Sequence, residues 1–331
     1  MMKLARSDAR KITVHAASSG RPRRCSGTSR AACAIIAEVF QTSSTPSVSV
    51  GPGATALTVI PSLAHSAPRL CVSAVTPALA AQDRVAIVTG AGQGIGRAIA
   101  VELAKAGAHV VASGRRLEPL ESVAGQARAL GRRSLALSCD VSDAEQVDHL
   151  VAETVREFGR VDLLVNNAGY RIRAPLDQLP RHEWDAMVGT NLTGVFLCCQ
   201  AVGRVMIQQR AGKIVNITSV AGRTGSRGMA AYAAAKAGVT ALTQSLGAEW
   251  AKYGIAVNAV APGPTETEGV LEVWKTPAMI AQAAREVPLQ RLGRPEEVAW
   301  AVIFLASDRA NFITGETVYL SGGPRVANRE D

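Results

Sequence analysis

Tyr232 and Lys236 stand four residues apart in the run Tyr232-Ala233-Ala234-Ala235-Lys236. The alanines make this segment helical, and on a helix positions i and i+4 share a face, so a phenol and an ammonium can meet in one site. A phenol normally keeps its proton to about pH 10. A cation beside it favours the phenolate and lowers that value, which would make Tyr232 a proton donor near neutral pH. Thirteen residues upstream, Ser219 follows the apolar run 214–217. That run reads as a buried strand, and strand tips are where sheet enzymes place their chemistry. A hydroxyl and a phenol converging on one oxygen could polarise a carbonyl and protonate the alkoxide formed from it. A solvated surface helix presents the same Tyr-x-x-x-Lys spacing, so the surrounding elements must decide between the two readings.

From residue 81 onward, strand and helix signals alternate. Strands are predicted at 85–88, 109–113, 134–139, 161–165, 213–217, 255–260 and 317–320. Helices are predicted at 94–106, from the second strand to about 130, over 143–158 with a cap at Ser142, over 181–209, 231–253 and 295–306. Such alternation implies an α/β domain, a doubly wound parallel sheet of about seven strands with helices on both faces. It spans 81–331 without an internal repeat or linker through residue 323.

The first strand runs into Thr89-Gly90-Ala91-Gly92-Gln93-Gly94-Ile95-Gly96. Glycines between a strand and a helix permit a tight turn and let backbone N–H groups approach a pyrophosphate. The spacing is T-G-x-x-x-G-x-G. NAD-specific sites place a carboxylate about twenty residues after the turn, to grip a ribose hydroxyl. Gly114 stands twenty residues beyond Gly94, and Arg115 and Arg116 follow it. A guanidinium there suits a 2′-phosphate; a surface turn capped by two arginines is the plainer alternative. Asp140, with Val141 after it, ends the third strand, where a carboxylate can take an adenine amino group or serve a helix N-cap. Asn166, Asn167, Ala168 and Gly169 end the fourth strand and suit a turn and a cofactor wall. Asn191 lies within the apolar stretch 188–199, and a buried carboxamide needs a partner or a task.

The net charge of +9 is unevenly placed. Residues 1–80 hold nine basic and two acidic side chains, a net +7, leaving 27 basic and 25 acidic, a net +2, for the remainder. A nearly neutral domain with 4% aromatics excludes a nucleic-acid partner as the reading of the high pI. The first 80 residues, rich in Ser, Ala, Thr, Pro and Arg, carry no sustained period. They are expected to be disordered: an organelle transit peptide, a tail, or an upstream frame foreign to the working protein. The expected location is the cytoplasm, or an organelle matrix if the segment is a transit peptide. The apolar stretch 54–64 is too short and Pro-broken to cross a membrane, and no membrane partner is expected. Six cysteines show neither C-x-x-C nor His/Cys metal spacing, so reduced thiols and no metal are expected.

Together these motifs resemble the short-chain dehydrogenase/reductase family over residues 83–323, above all its 3-oxoacyl-carrier-protein reductase branch, with sugar and polyol dehydrogenases next. The resemblance rests on T-G-x-x-x-G-x-G, Asp140-Val141, Asn166-Asn167-Ala168-Gly169, Asn191, Ser219, Tyr232-x-x-x-Lys236 and Pro262-Gly263. It implies a Rossmann-type fold and NADP(H), with NAD(H) as the lesser choice, acting on a small carbonyl/alcohol substrate. It makes Tyr232 the acid and base, Ser219 the substrate's anchor, Lys236 the ribose contact that lowers the phenol pKa, and Asn191 part of a water-linked relay. It assigns Gly90, Gly94, Ile95, Gly96, Arg115, Asp140, Val141, Asn167, Ala168 and Gly169 to the cofactor. Tyr232, Lys236, Pro262, Gly263, Thr265 and Thr267 join them there. Residues 264–287 resemble a helical substrate lid, and Arg171 and Arg173 resemble basic residues of sugar-acid enzymes. A homotetramer or homodimer is implied. A silent nucleotide-binding scaffold is the contrasting expectation, and loss of Ser219, Tyr232 or Lys236 would have favoured it.

Overall fold

Every side chain of Val85–Thr89, strand β1, is buried, because a strand covered on both faces reads as a continuous apolar run. The structure, a computed structural model, describes residues 83–323. The expected disordered segment 1–80 lies outside the described residues.

After β1 come α1 (Gly94–Lys105), β2 (His109–Gly114), α2 (Leu117–Ala129), β3 (Ser134–Ser138), α3 (Ala144–Phe158) and β4 (Leu163–Asn166). The chain continues through α4 (Arg181–Val188), α5 (Gly194–Gln209), β5 (Gly212–Ile217), α6 (Ala221–Thr224) and α7 (Ala230–Trp250). It closes with β6 (Ile255–Pro262), α8 (Glu268–Leu271), α9 (Pro277–Arg285), α10 (Pro295–Ala306) and β7 (Thr317–Leu320). One seven-stranded sheet has the order β3-β2-β1-β4-β5-β6-β7, and every pairing is parallel. This is the expected doubly wound sheet. Its order reverses between β1 and β4, and a crevice opens there at the carboxyl ends of the strands.

Alternate residues of β1 feed two cores. Ala86 and Val88 join the core with Ile99 and Leu103 of α1, Leu120 of α2 and Val302 of α10. Val85 and Ile87 join the other, with Leu150 of α3, Met206 of α5 and Val239 of α7. Period-two alternation thus sends the strand's side chains to opposite faces. The site residues sit at or just beyond the carboxyl ends of these strands.

Two local expectations are corrected. Asp143, not Ser142, caps α3: its Oδ1 accepts from the N–H of Glu145 at 3.0 Å and of Gln146 at 3.2 Å. Ser142 instead donates its hydroxyl to Asp140 Oδ1 at 2.6 Å. The helix expected over 181–209 is interrupted by a π-turn, Gly189–Thr193, with Asn191 at its centre. The Asn191 carboxamide donates back to Met187 O at 2.9 Å, and π-turns of this kind concentrate at functional positions. The stretch 181–209 is long and apolar enough to cross a membrane by composition, but its α5 half packs on the sheet. Elsewhere the expected ends shift by up to three residues. The helix expected to 253 stops at Trp250 and is followed by the 3-10 turn Ala251–Tyr253.

Candidate functional site

At the tip of β1 the chain turns at Gly90, whose φ is +65°, a conformation that favours glycine. Gly96 is required by close approach: a Cβ there would lie 2.1 Å from Gly90 O. Two tips are sewn together around this turn. Thr89 Oγ1 accepts from Asn167 N at 3.0 Å and Ala168 N at 3.1 Å, while Asn167 Nδ2 donates to Thr89 O at 3.0 Å and Gly90 O at 3.1 Å. The Asn167 carboxamide therefore builds the glycine turn, and what it offers the cleft is backbone. Thr89 was legible as part of the motif, but its bracing role was not.

A cleft of about 790 Å³ runs along these tips. Its walls include Gly90, Gly94, Ile95, Gly96, Arg115, Asp140, Val141, Asn167, Ala168 and Gly169. Asn191, Ser219, Tyr232, Lys236, Pro262, Gly263, Thr265 and Thr267 line it too, so it gathers every residue assigned from the sequence to catalysis or the cofactor, while Arg173 is not among its walls. It also takes in Gln93, Arg116, Thr190, Glu268, Val270 and Val273, which the sequence motifs did not assign. The last three come from the lid segment, whose expected helices are α8 and α9.

At one end, Arg116 donates to Gln93 Oε1 at 2.6 Å, whereas the Arg115 guanidinium makes no hydrogen bond or ion pair among the described residues. Asp140 Oδ1 accepts from Ser142 N at 2.9 Å as well as from the Ser142 hydroxyl, so one carboxylate oxygen is held by the turn. Val141 packs against Gly194, where an added Cβ would meet its Cγ2 at 2.6 Å. Thr265 is buried and donates its hydroxyl to Gly263 O at 3.1 Å, and Thr267 lies against Gly94.

At the other end, Ser219 follows β5 and Tyr232 and Lys236 project from α7. Ser219 lies beside the Tyr232 phenol, and its Oγ accepts from Ala221 N at 3.2 Å. Lys236 is 3% exposed and donates to Ile217 O at 2.8 Å. Its Nζ lies 5.8 Å from the centre of the Tyr232 ring. The expected depression of the phenol pKa is not found. Burial raises Tyr232 above its usual range, opposed by the Ser219 hydroxyl and then by Arg171. The ammonium is turned to a strand carbonyl rather than to the phenol oxygen, and desolvation prevails. Asn191 is fully buried; its Nδ2 donates to Tyr170 O and Met187 O, both at 2.9 Å, and its Oδ1 accepts from no group among the described residues. A Cβ on Gly169 would meet that Oδ1 at 2.5 Å and Lys236 Nζ at 3.6 Å, so this glycine keeps a path between the two open.

Burial pushes the Lys236 ammonium down from 10.5 to about 8. Between those values the unfolded chain binds more protons, so stability from this group rises as pH climbs from about 8 to 10.5. At neutral pH the whole penalty remains. Lys236→Met is therefore expected to raise stability at pH 7 by about 1–3 kcal/mol, after subtracting the lost hydrogen bond. The gain should vanish above the unfolded lysine's pKa. Denaturant unfolding across pH checks this, and a variant less stable than wild type at pH 7 contradicts it.

The three described cysteines, Cys139, Cys198 and Cys199, are buried free thiols. Desolvation pushes Cys139 up to about 11 and Cys199 up to about 12, which removes them as nucleophiles.

A family model described as enoyl-(acyl carrier protein) reductase matches residues 90–324. The chain is 43% identical over 248 residues to the 3-oxoacyl-[acyl-carrier-protein] reductase of Synechocystis sp., covering 74% of this chain and 98% of that protein. It is 42% identical over 242 residues to the enzyme of the same name from Staphylococcus aureus, covering 72% and 96%. Among solved structures, levodione reductase is similar with a TM-score of 0.72 and 36% identity, over 74% of this chain and 99% of that one.

Proposed function

Because this chain belongs to the short-chain dehydrogenase/reductase family and is an oxidoreductase, we propose that it moves a hydride between NADP(H) and a carbonyl/alcohol substrate, with Tyr232 as acid and base. One observation carries the reading: a single cleft joins the glycine turn and an unpaired Arg115 to Ser219, Tyr232 and Lys236.

The residues present fit a dinucleotide. The close approaches at Gly90 and Gly96 leave no room for side chains, and both residues line the cleft. The N–H groups of Ile95 and Gly96, at the start of α1, have no hydrogen-bond acceptor among the described residues. Gly94, Ile95 and Gly96 would hold the phosphates, and Arg115 a 2′-phosphate. Asp140 and Val141 would face the adenine, with Asn167, Ala168 and Gly169 as a wall. Pro262, Gly263, Thr265 and Thr267 would roof the nicotinamide. When bound, the nicotinamide supplies or accepts the hydride.

Ser219 donates to the substrate oxygen and fixes its position. Tyr232 gives that oxygen a proton as negative charge develops, and takes one back in the reverse direction. A raised phenol pKa keeps the proton in place until it is needed. Lys236 sits on the path that resupplies it. Asn191 Oδ1, buried without a donor, can accept from a water that also meets the ammonium. Lys236→Ala should therefore damage both turnover and cofactor affinity.

A second substrate reading has its own observation. Ala174 N donates to Gly228 O at 2.9 Å, joining segments 170–174 and 225–229, which carry Arg171, Arg173 and Arg227 and no acid. Arg171 lines the cleft. A basic lip beside Tyr232 suits a sugar or sugar-acid carbonyl as well as an oxoacyl thioester. The fold's long helices α5 and α7, with Phe196 of α5 44% exposed, are the proposed faces for a homodimer or homotetramer.

The tail is proposed to be dispensable. A chain starting near Ala78 should fold and turn over like the full one, measured by steady-state kinetics and thermal unfolding. Loss of soluble, active protein on that truncation would overturn this.

A further inference from the structure

Glu268 reaches across the mouth of the cleft to a helix 174 positions earlier in the chain. Its Oε2 accepts from Gly94 N at 3.0 Å, and its Oε1 accepts from Arg97 Nη2 at 2.5 Å. Gly94 is the first residue of α1, and α1 brings no cap of its own. The Gln93 side chain makes no capping hydrogen bond, and the first turn holds no acid. A helix N-terminus attracts negative charge, and here a distant loop supplies it. This is the same N-terminus that would receive the cofactor's diphosphate.

The loop that carries Glu268 is pinned on its other side. Glu266 N donates to Gly293 O at 2.8 Å and Gly293 N to Pro264 O at 2.9 Å. Thr267 packs 3.4 Å from where a Gly94 Cβ would stand. A strap thus runs from Gly293 to Gly94, and α8 begins at Glu268 itself. Both side chains of the Arg97–Glu268 pair are about half exposed, at 49% and 47%. An ion pair this wet is weak, so it holds a loop without locking it.

We propose that Glu268 is a latch, a tethered carboxylate that holds the first turn of α1 until a dinucleotide diphosphate displaces it and releases the start of the lid. This rests on the reading of the cleft as a dinucleotide site. One N–H cannot serve two acceptors well, and a carboxylate beside a diphosphate is repelled by it. Cofactor binding and lid release are then one exchange of anions.

The test compares wild type with Glu268→Gln, full chain, using NADPH as probe. Without nucleotide, the variant should unfold about 1–3 °C lower, having lost an ion pair and a charged cap. NADPH should nevertheless bind it about three- to tenfold more tightly, because no anion has to leave. In stopped-flow binding, the wild-type rate should level off with NADPH concentration at the rate of latch release, while the variant's rate should stay linear. A merely structural contact would move stability and affinity in the same direction. A variant that binds NADPH no better than wild type overturns the latch alone. Wild type that binds neither NADPH nor NADH overturns the dinucleotide reading and the latch together.

Discussion

Tyr232→Phe is expected to lower kcat by about a hundredfold or more, the usual worth of a positioned proton donor. The ring remains and only the hydroxyl goes, so NADPH affinity should change little. Ser219 loses its phenol neighbour but keeps the Ala221 N–H, which holds the hydroxyl near its present place. Because burial raises the phenol pKa, removing the hydroxyl takes away a neutral group, and the Lys236 ammonium keeps its hydrogen bond to Ile217 O. The variant should therefore fold normally, and the loss should be read as chemistry. Steady-state kinetics beside nucleotide titration separates the two. Turnover near the wild-type value would show that another group moves the proton.

Gly114→Asp combined with Arg115→Ala is expected to swing selectivity from NADPH toward NADH. A charge-assisted phosphate contact is worth about 1.5–3 kcal/mol, or roughly ten- to a hundredfold in affinity. The carboxylate adds repulsion to the lost attraction. The geometry admits the change. An added Cβ at Gly114 meets nothing closer than Leu120 Cδ2 at 3.5 Å. Arg116 is no ready substitute, since its guanidinium is engaged with Gln93. The comparison is kcat/KM for both cofactors at fixed salt. Wild type that favours NADH, or a double variant with unchanged preference, sinks the role given to Arg115.

Much of this site could be read from the sequence because its parts are local. Glycines after an apolar run, a serine after another, and a tyrosine one helical turn from a lysine each mark a strand tip or helix face by short-range spacing. Parallel strands then bring those tips together without further instruction. What failed to be legible depends on groups far apart in sequence or on backbone detail. The Glu268–Gly94 contact joins a lid loop to a turn 174 positions away, with no periodic signal to link them. The π-turn at Asn191 arises within a continuous apolar pattern that reads as plain helix. The direction of the Lys236 ammonium is set by Ile217 O, a carbonyl on another element, and spacing alone aimed it at the phenol. Asp143 and Ser142 are adjacent cap formers, and only the start of α3 chooses between them.

The proposed reduction of a carbonyl with NADPH is measured directly by NADPH absorbance during incubation of the purified protein with oxoacyl thioesters, keto sugars and sugar lactones, and simple ketones. NADPH consumption is expected with at least one of these classes, matched by the corresponding alcohol in the product and absent in Tyr232→Phe. NADPH that binds tightly yet is never consumed with any of them, nor formed from NADP with the matching alcohols, would contradict it and favour a silent nucleotide-binding scaffold.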